Sequence, residues 1–194
     1  PMYFFHRGDD YIDVAGQSFR DFMDGMLPGF EGQLPSMADF QDHITTAFPE
    51  VRLKRFLEMR GADGGAWGNI CALPAFWTGL LYDAEALAAA TKLAEGLTAN
   101  DVMEARLSVS RDGLRGQLGG RNVHKLAGEL VKLASDGLRR RARMDDGGND
   151  ETGYLAPLRE VVSTGETPAD RLLRLYETSW NGNLQQIFDA ERYQ

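Results

Sequence analysis

VRLKRFLEMRGADGG, residues 51 to 65, sets dense charge on a strand-like run and then stops in glycines. With a period of two, Val51, Leu53, Leu57 and Met59 fall on one side, interrupted by Arg55. Arg52, Lys54, Phe56, Glu58 and Arg60 fall on the other. A strand cannot bury the charged side unpaired, because each uncompensated ion costs several kcal/mol, on the order of a domain's whole stability margin. That face therefore meets water or a charged ligand. A helix is also compatible, since Leu53, Phe56 and Leu57 satisfy the i, i+3, i+4 spacing. Pro49 before the run and Gly61, Gly64 and Gly65 after it favour a single short strand leading into a loop.

Working outward, 194 residues with 43% hydrophobic content suffice for one domain with a real core, so residues 1–194 are expected to form a single unit. No run has the apolar length of a membrane span, and no basic leader precedes an apolar stretch, so neither membrane insertion nor secretion is expected. Cys71 is the only cysteine, which excludes an internal disulfide and fits a cytoplasmic location. A formal charge of -8 argues against general nucleic-acid binding, which needs clustered Lys and Arg. The one basic cluster, RRRAR ending at Arg143, is read as cations complementing the negative end of a helix in preference to a phosphate site.

Along the chain, MYFFH and YIDV read as a hairpin turning through Arg7-Gly8-Asp9-Asp10, and Ser18 to Met26 as a helix. Ser36 with Asp39 has capping-box spacing and starts a helix over 37–47; Thr98 with Asp101 repeats it. Trp67 to Tyr82 reads as a buried helix bent at Pro74, and Asp83 to Leu97 as an alanine-rich one. Glycines 113, 116, 119 and 120 predict a loop, after which Asn122 caps a long amphipathic helix. Met144 to Thr152 reads as an acidic flexible loop, followed by helices near 155–163, from Thr167-Pro168 to 178, and over 183–192. The sum is an α+β chain, mostly helical, with a few strands in its first third. So small a sheet suggests that its remaining strands lie in sequence not present here.

The run TTAFPEVRLKRFLEMRGADGG, continued by CALPAFWTGLLYD from Cys71, resembles glutamate-cysteine ligase of the plant and proteobacterial type. PMYF at the start, YIDVAGQSFRDFM, GLRRRAR and TPADRLLRLYETSW extend the resemblance over nearly the whole chain. In that family PMYF lies well inside the polypeptide, so the resemblance is to the C-terminal portion only. It implies antiparallel strands like part of a glutamine-synthetase-like sheet, with ATP as co-substrate, Mg²⁺ as cofactor, and glutamate and cysteine as partners. An amide ligase of this kind phosphorylates a carboxylate, and an amine then displaces the phosphate. Carboxylates must hold Mg²⁺ against the nucleotide, and cationic side chains must neutralise the transferring phosphoryl group.

On the resemblance, Glu58 is expected to bind Mg²⁺ and Arg60 to act catalytically on phosphate, with Lys54 and Arg52 extending the positive wall. Without it, a Glu-x-Arg pair is more simply a solvated salt bridge, and Lys54 and Arg52 are more simply solvated strand charges. Asp63 and Trp67 are weaker expectations for substrate binding; a turn-forming aspartate and a core tryptophan are the plain alternatives. The three histidines show no metal-ligand spacing, and the glycine loop is no P-loop. Two departures stand out. Ala66-Trp67-Gly68-Asn69 replaces the family's Pro-Trp-Arg-Arg, removing two positive charges, and Val14 and Gly29 stand where plant members carry paired redox cysteines. The resemblance also puts the remaining acidic ligands and glutamate-binding residues upstream of PMYF. The competing expectation is therefore a non-catalytic binding or interaction domain derived from the ligase, whose exposed sheet edge pairs with a partner or with itself.

Overall fold

The structure, a computed structural model, describes residues 1–192 and divides into two compact units, Pro1–Ala62 and Asp63–Gln194. The fold is α+β and mostly helical, as expected. Among the described residues the strands form three separate two-stranded antiparallel sheets.

In the first unit, β1 (Phe4–Arg7) and β2 (Asp10–Asp13) form the predicted hairpin, with Phe5 opposite Ile12. Alternation turns Phe5 inward onto Met2, Val14, Phe19, Phe22 and Leu27, which together make this unit's core. Ser18 Oγ accepts from the first free amides of α1 (Phe19–Met23), and Ser36 opens α2 (Met37–Thr45) with the predicted capping box. Asp39, the box partner, is only 5% exposed. Its Oδ2 accepts from the Ser36 amide at 2.7 Å and its Oδ1 from Arg7 Nη1 at 2.9 Å. These donors offset the several kcal/mol that burying a bare carboxylate costs. Arg7 lies 4.3 Å over the Phe5 ring, so one guanidinium ties α2 to the hairpin core.

The single strand expected across 51–60 is instead a hairpin, β3 (Val51–Leu53) and β4 (Leu57–Met59). The chain reverses over Lys54, Arg55 and Phe56, where the Lys54 amide donates to the Phe56 carbonyl at 2.9 Å. A straight strand would have set Arg55 among its apolar residues; the reversal removes it and brings Leu53 opposite Leu57. No Gly, Pro, Asn or Asp marks this turn, so the usual signal was missing.

The second unit is built on α3 (Trp67–Leu81), which runs through Pro74. α4 (Ala84–Ala94) is capped by Asp83, and α5 (Ala99–Asp112) starts with the Thr98/Asp101 capping box. The loop expected over 111–122 is partly ordered: a 3₁₀ turn leads into β5 (Gln117–Leu118) and β6 (Arg121–Asn122). Gly119 and Gly120, at φ 55° and 73°, supply the two left-handed residues that a tight hairpin turn demands. Strands are thus not confined to the first third.

Asn122 then caps α6 (Val123–Arg141) as predicted. α7 (Ala156–Thr164), α8 (Pro168–Glu177), with Thr167 and Pro168 at its N-cap and N1, and α9 (Gln186–Ala190) follow. The core gathers Ala75, Leu80, Ala134, Leu138 and Leu155. α3 and α6 cross with almost no side chain between them: a Cβ on Gly137 would lie 2.0 Å from the Gly79 carbonyl oxygen. The basic cluster closes α6 as the helix-end reading expects, and Arg140 grips Asp83 with Nη2 to Oδ1 at 2.6 Å and Nε to Oδ2 at 3.0 Å. No helix among the described residues is long and apolar enough to cross a membrane.

Candidate functional site

The charged face of β3 and β4 is the candidate site, and its geometry follows from the register. Arg52 pairs directly with Glu58, while Val51 with Met59 and Leu53 with Leu57 occupy the opposite face. Arg60 follows Glu58 by two residues and returns to its side. Glu58 Oε2 accepts from Arg52 Nε at 2.8 Å and from Arg60 Nη1 at 3.2 Å. Lys54 Nζ stands 3.9 Å from the other oxygen, Oε1. The Arg60 amide donates to the Glu50 carbonyl at 2.7 Å, which holds the chain in place just past β4.

Three cations thus surround the Glu58 carboxylate. The Glu58 carboxyl is held below the usual carboxylate range, first by the hydrogen bond from Arg52, then by the one from Arg60 and by the charges of Arg52 and Lys54. Phe48, which sequence reasoning missed, lies under the Arg60 guanidinium at 5.4 Å from the ring centroid. Its only sequence signal was an aromatic residue beside Pro49.

The donor set fits a phosphate directly, because guanidinium forks and an ammonium are the groups that recognise phosphate oxygens. For Mg²⁺ the chemistry also fits, although thinly. Both guanidinium bonds fall on Oε2, and Oε1 accepts no hydrogen bond among the described residues. Mg²⁺ commonly takes one or two carboxylates and completes its shell with water and substrate phosphates. Among the described residues no group of three His, Cys, Asp or Glu side chains is placed to hold a metal ion, so Glu58 belongs to no ready-made metal site.

Asp63 and Trp67 belong to the second unit. Asp63 Oδ1 accepts from the adjacent Gly64 amide at 3.2 Å, in a stretch assigned neither regular structure nor a turn. Trp67, the first residue of α3, is 65% exposed, so it is not a core tryptophan; Trp77 is the one packed against the core. Within this unit Gly64, Gly65 and Asn69 border a cleft of about 460 Å³ between α3, α7 and α8. Glu160, Glu166 and Glu191 line it with Arg171, which is paired to Glu191. Three carboxylates against one engaged cation make this cleft unsuited to phosphate.

The cationic face of this ribbon presents guanidinium and ammonium donors of the kind that match phosphate oxygens. The chain belongs to glutamate-cysteine ligase family 2 (GCS2), which it matches over residues 1–190. It is 47% identical over 193 residues to glutamate-cysteine ligase A, chloroplastic, of Oryza sativa subsp. indica. Similar relatives are the chloroplastic glutamate-cysteine ligases of Solanum lycopersicum and Arabidopsis thaliana, each 46% identical over 193 residues. These alignments cover 100% of this chain but 38% of the rice protein and 36% of the other two. The chain therefore spans well under half the length of these relatives.

Their names also correct one expectation. Each is chloroplastic, which overturns the cytoplasmic assignment. That assignment leaned on a single cysteine, and an unpaired thiol fits any reducing compartment.

Proposed function

We propose that the chain is the C-terminal portion of an ATP-dependent glutamate-cysteine ligase, its two units serving as parts of one ligase domain. The reaction would transfer the γ-phosphoryl group of ATP to the γ-carboxylate of glutamate, releasing ADP. The cysteine amine, having lost a proton, would then attack the acyl carbon and expel phosphate, leaving the amide. The observation that carries this proposal is the Glu58 cluster, lying inside the residues that match the family.

In this proposal Arg60 and Arg52 bind phosphate oxygens, and Lys54 adds charge at the edge of the ribbon. Phe48 supports the Arg60 guanidinium through its ring face. Glu58 orients both guanidiniums through Oε2 and offers Oε1 to Mg²⁺, which when bound would draw charge from the phosphates. Asp63 and Trp67 are proposed to border the amino-acid substrates. The remaining ligands would come from the portion of the relatives' length that this chain does not span.

The test is ADP formation dependent on both glutamate and cysteine, measured for the 194-residue chain with and without a separately supplied upstream half of a relative. Activity that needs the upstream half and falls at least about a hundredfold in Arg60→Ala is expected. Full activity of Arg60→Ala in the reconstituted pair would refute its assigned role.

A second proposal, a non-catalytic interaction domain, is favoured by the bare apolar face of the same ribbon, where Leu53 is 79% and Leu57 57% exposed. The missing charges at Gly68 and Asn69 point the same way. Self-association of the chain with no Mg-ATP binding, even beside the upstream half, would select this second proposal.

A further inference from the structure

In the first unit, α2 is attached through few side chains, and Asp39 is its one buried residue. Asp39 bonds Arg7 of the hairpin, while the Phe40 and His43 rings meet Phe19 of α1. The His43 ring lies flat on Phe19, with centroids 4.5 Å apart and planes within 5°. Its Nδ1 is buried and has no hydrogen-bond partner among the described residues. In a neutral imidazole that nitrogen can be a bare acceptor, but in an imidazolium it must be a donor. A charged donor buried without an acceptor costs more than the Phe19 face returns as a cation–π contact.

We propose that α2 is an acid-sensitive latch, held on α1 while His43 is neutral and loosened when that ring gains a proton. The surrounding charges agree. Burial first, then the Pro1 ammonium, hold the His43 pKa below 6.5, and neither Arg20 and Asp21 of α1 nor Arg7 of β1 opposes them. The acids of α2 itself are engaged, Asp39 by Arg7 and the Ser36 amide, Asp42 by His6 at 3.7 Å. A protonated His6 would tighten its pair with Asp42, so His6 cannot be what loosens the helix. Because folding lowers the His43 pKa, the cost begins as pH drops below 6.5 and stops growing beneath the folded value. Residues 46–50 join α2 to β3 and carry Phe48 and the Glu50 carbonyl, both of which contact Arg60. On the function proposed above, the latch therefore makes the phosphate-binding ribbon sensitive to acid.

The test is amide hydrogen exchange of the full 194-residue chain by NMR at about pH 7.5 and about pH 5.5, corrected for intrinsic rates. It needs no ligase activity, and α3, which holds no histidine, serves as the internal reference. Relative to α3, the α2 amides should lose protection several-fold, at most about tenfold, at the lower pH, and the Arg60 amide should follow them. His43→Phe keeps a stacked ring that cannot be protonated, so its α2 protection should stay level. His6→Gln should retain the wild-type loss. Circular dichroism checks folding, and His43→Leu takes the place of His43→Phe if that variant unfolds. No loss in the wild type, an equal loss in His43→Phe, or its disappearance in His6→Gln would each overturn the proposal. An Arg60 amide that stays protected while α2 loosens would overturn the effect on the ribbon.

Discussion

Asp83 does two things with one carboxylate. It caps α4 by accepting from the Ala86 amide at 2.8 Å, and it receives both arms of Arg140 from the end of α6. The Arg140 hydrogen bond, then the Ala86 amide, bring its pKa from 3.8 to about 2. A depressed carboxylate contributes stability that is complete above its unfolded pKa and is lost as pH falls through its folded one. Stability should therefore decline between pH 3.8 and about 2 through this group. Chemical denaturation across that range should give a shallower decline for Asp83→Asn; identical slopes would show that the pair forms without affecting folding. At the same scale Glu58 and Arg60 were legible as neighbours, because a spacing of two fixes the side of a strand. Arg52 as the principal partner of Glu58 was not, since that pairing needs the chain to reverse between them.

Among the elements, helix starts were the most legible feature. Ser36/Asp39, Thr98/Asp101, Asn122 and Thr167/Pro168 all cap where sequence spacing puts them. What the helices do to one another was hidden. The crossing of α3 with α6 depends on Gly79 and Gly137, two glycines that spacing alone would mark as helix weaknesses. In Gly137→Ala the new methyl gains about 1 kcal/mol of helix propensity. It also meets the Gly79 carbonyl oxygen at 2.0 Å, and backbone cannot yield as a side-chain tip can. Separating the helices should cost a net of about 2 kcal/mol. Gly128→Ala in the same helix meets only a Val162 methyl at 3.3 Å and should cost far less. Urea titrations of the two variants measure the difference; equal midpoints would mean that the helices part without loss.

For the whole molecule, the two units keep separate cores, one around Phe5 and Phe22 and the other around Leu80 and Leu138. Outside both, Val51, Leu53 and Leu57 expose a contiguous apolar face of a two-stranded ribbon, a structure only marginally stable by itself. Sedimentation velocity of the isolated chain should show concentration-dependent association, weakened about tenfold by Leu53→Lys. A chain monomeric at every concentration would remove the interaction-domain proposal. The sequence alone determined the helical character, the capped starts, the first hairpin and the family, because caps, periods and motifs are relations among residues a few positions apart. Only the tertiary structure decided that Arg7 meets Asp39, 32 residues away, and that two glycines let α3 touch α6. Those relations depend on which distant segments pack together, and packing is settled by the shape and burial of the folded chain, which no local spacing records.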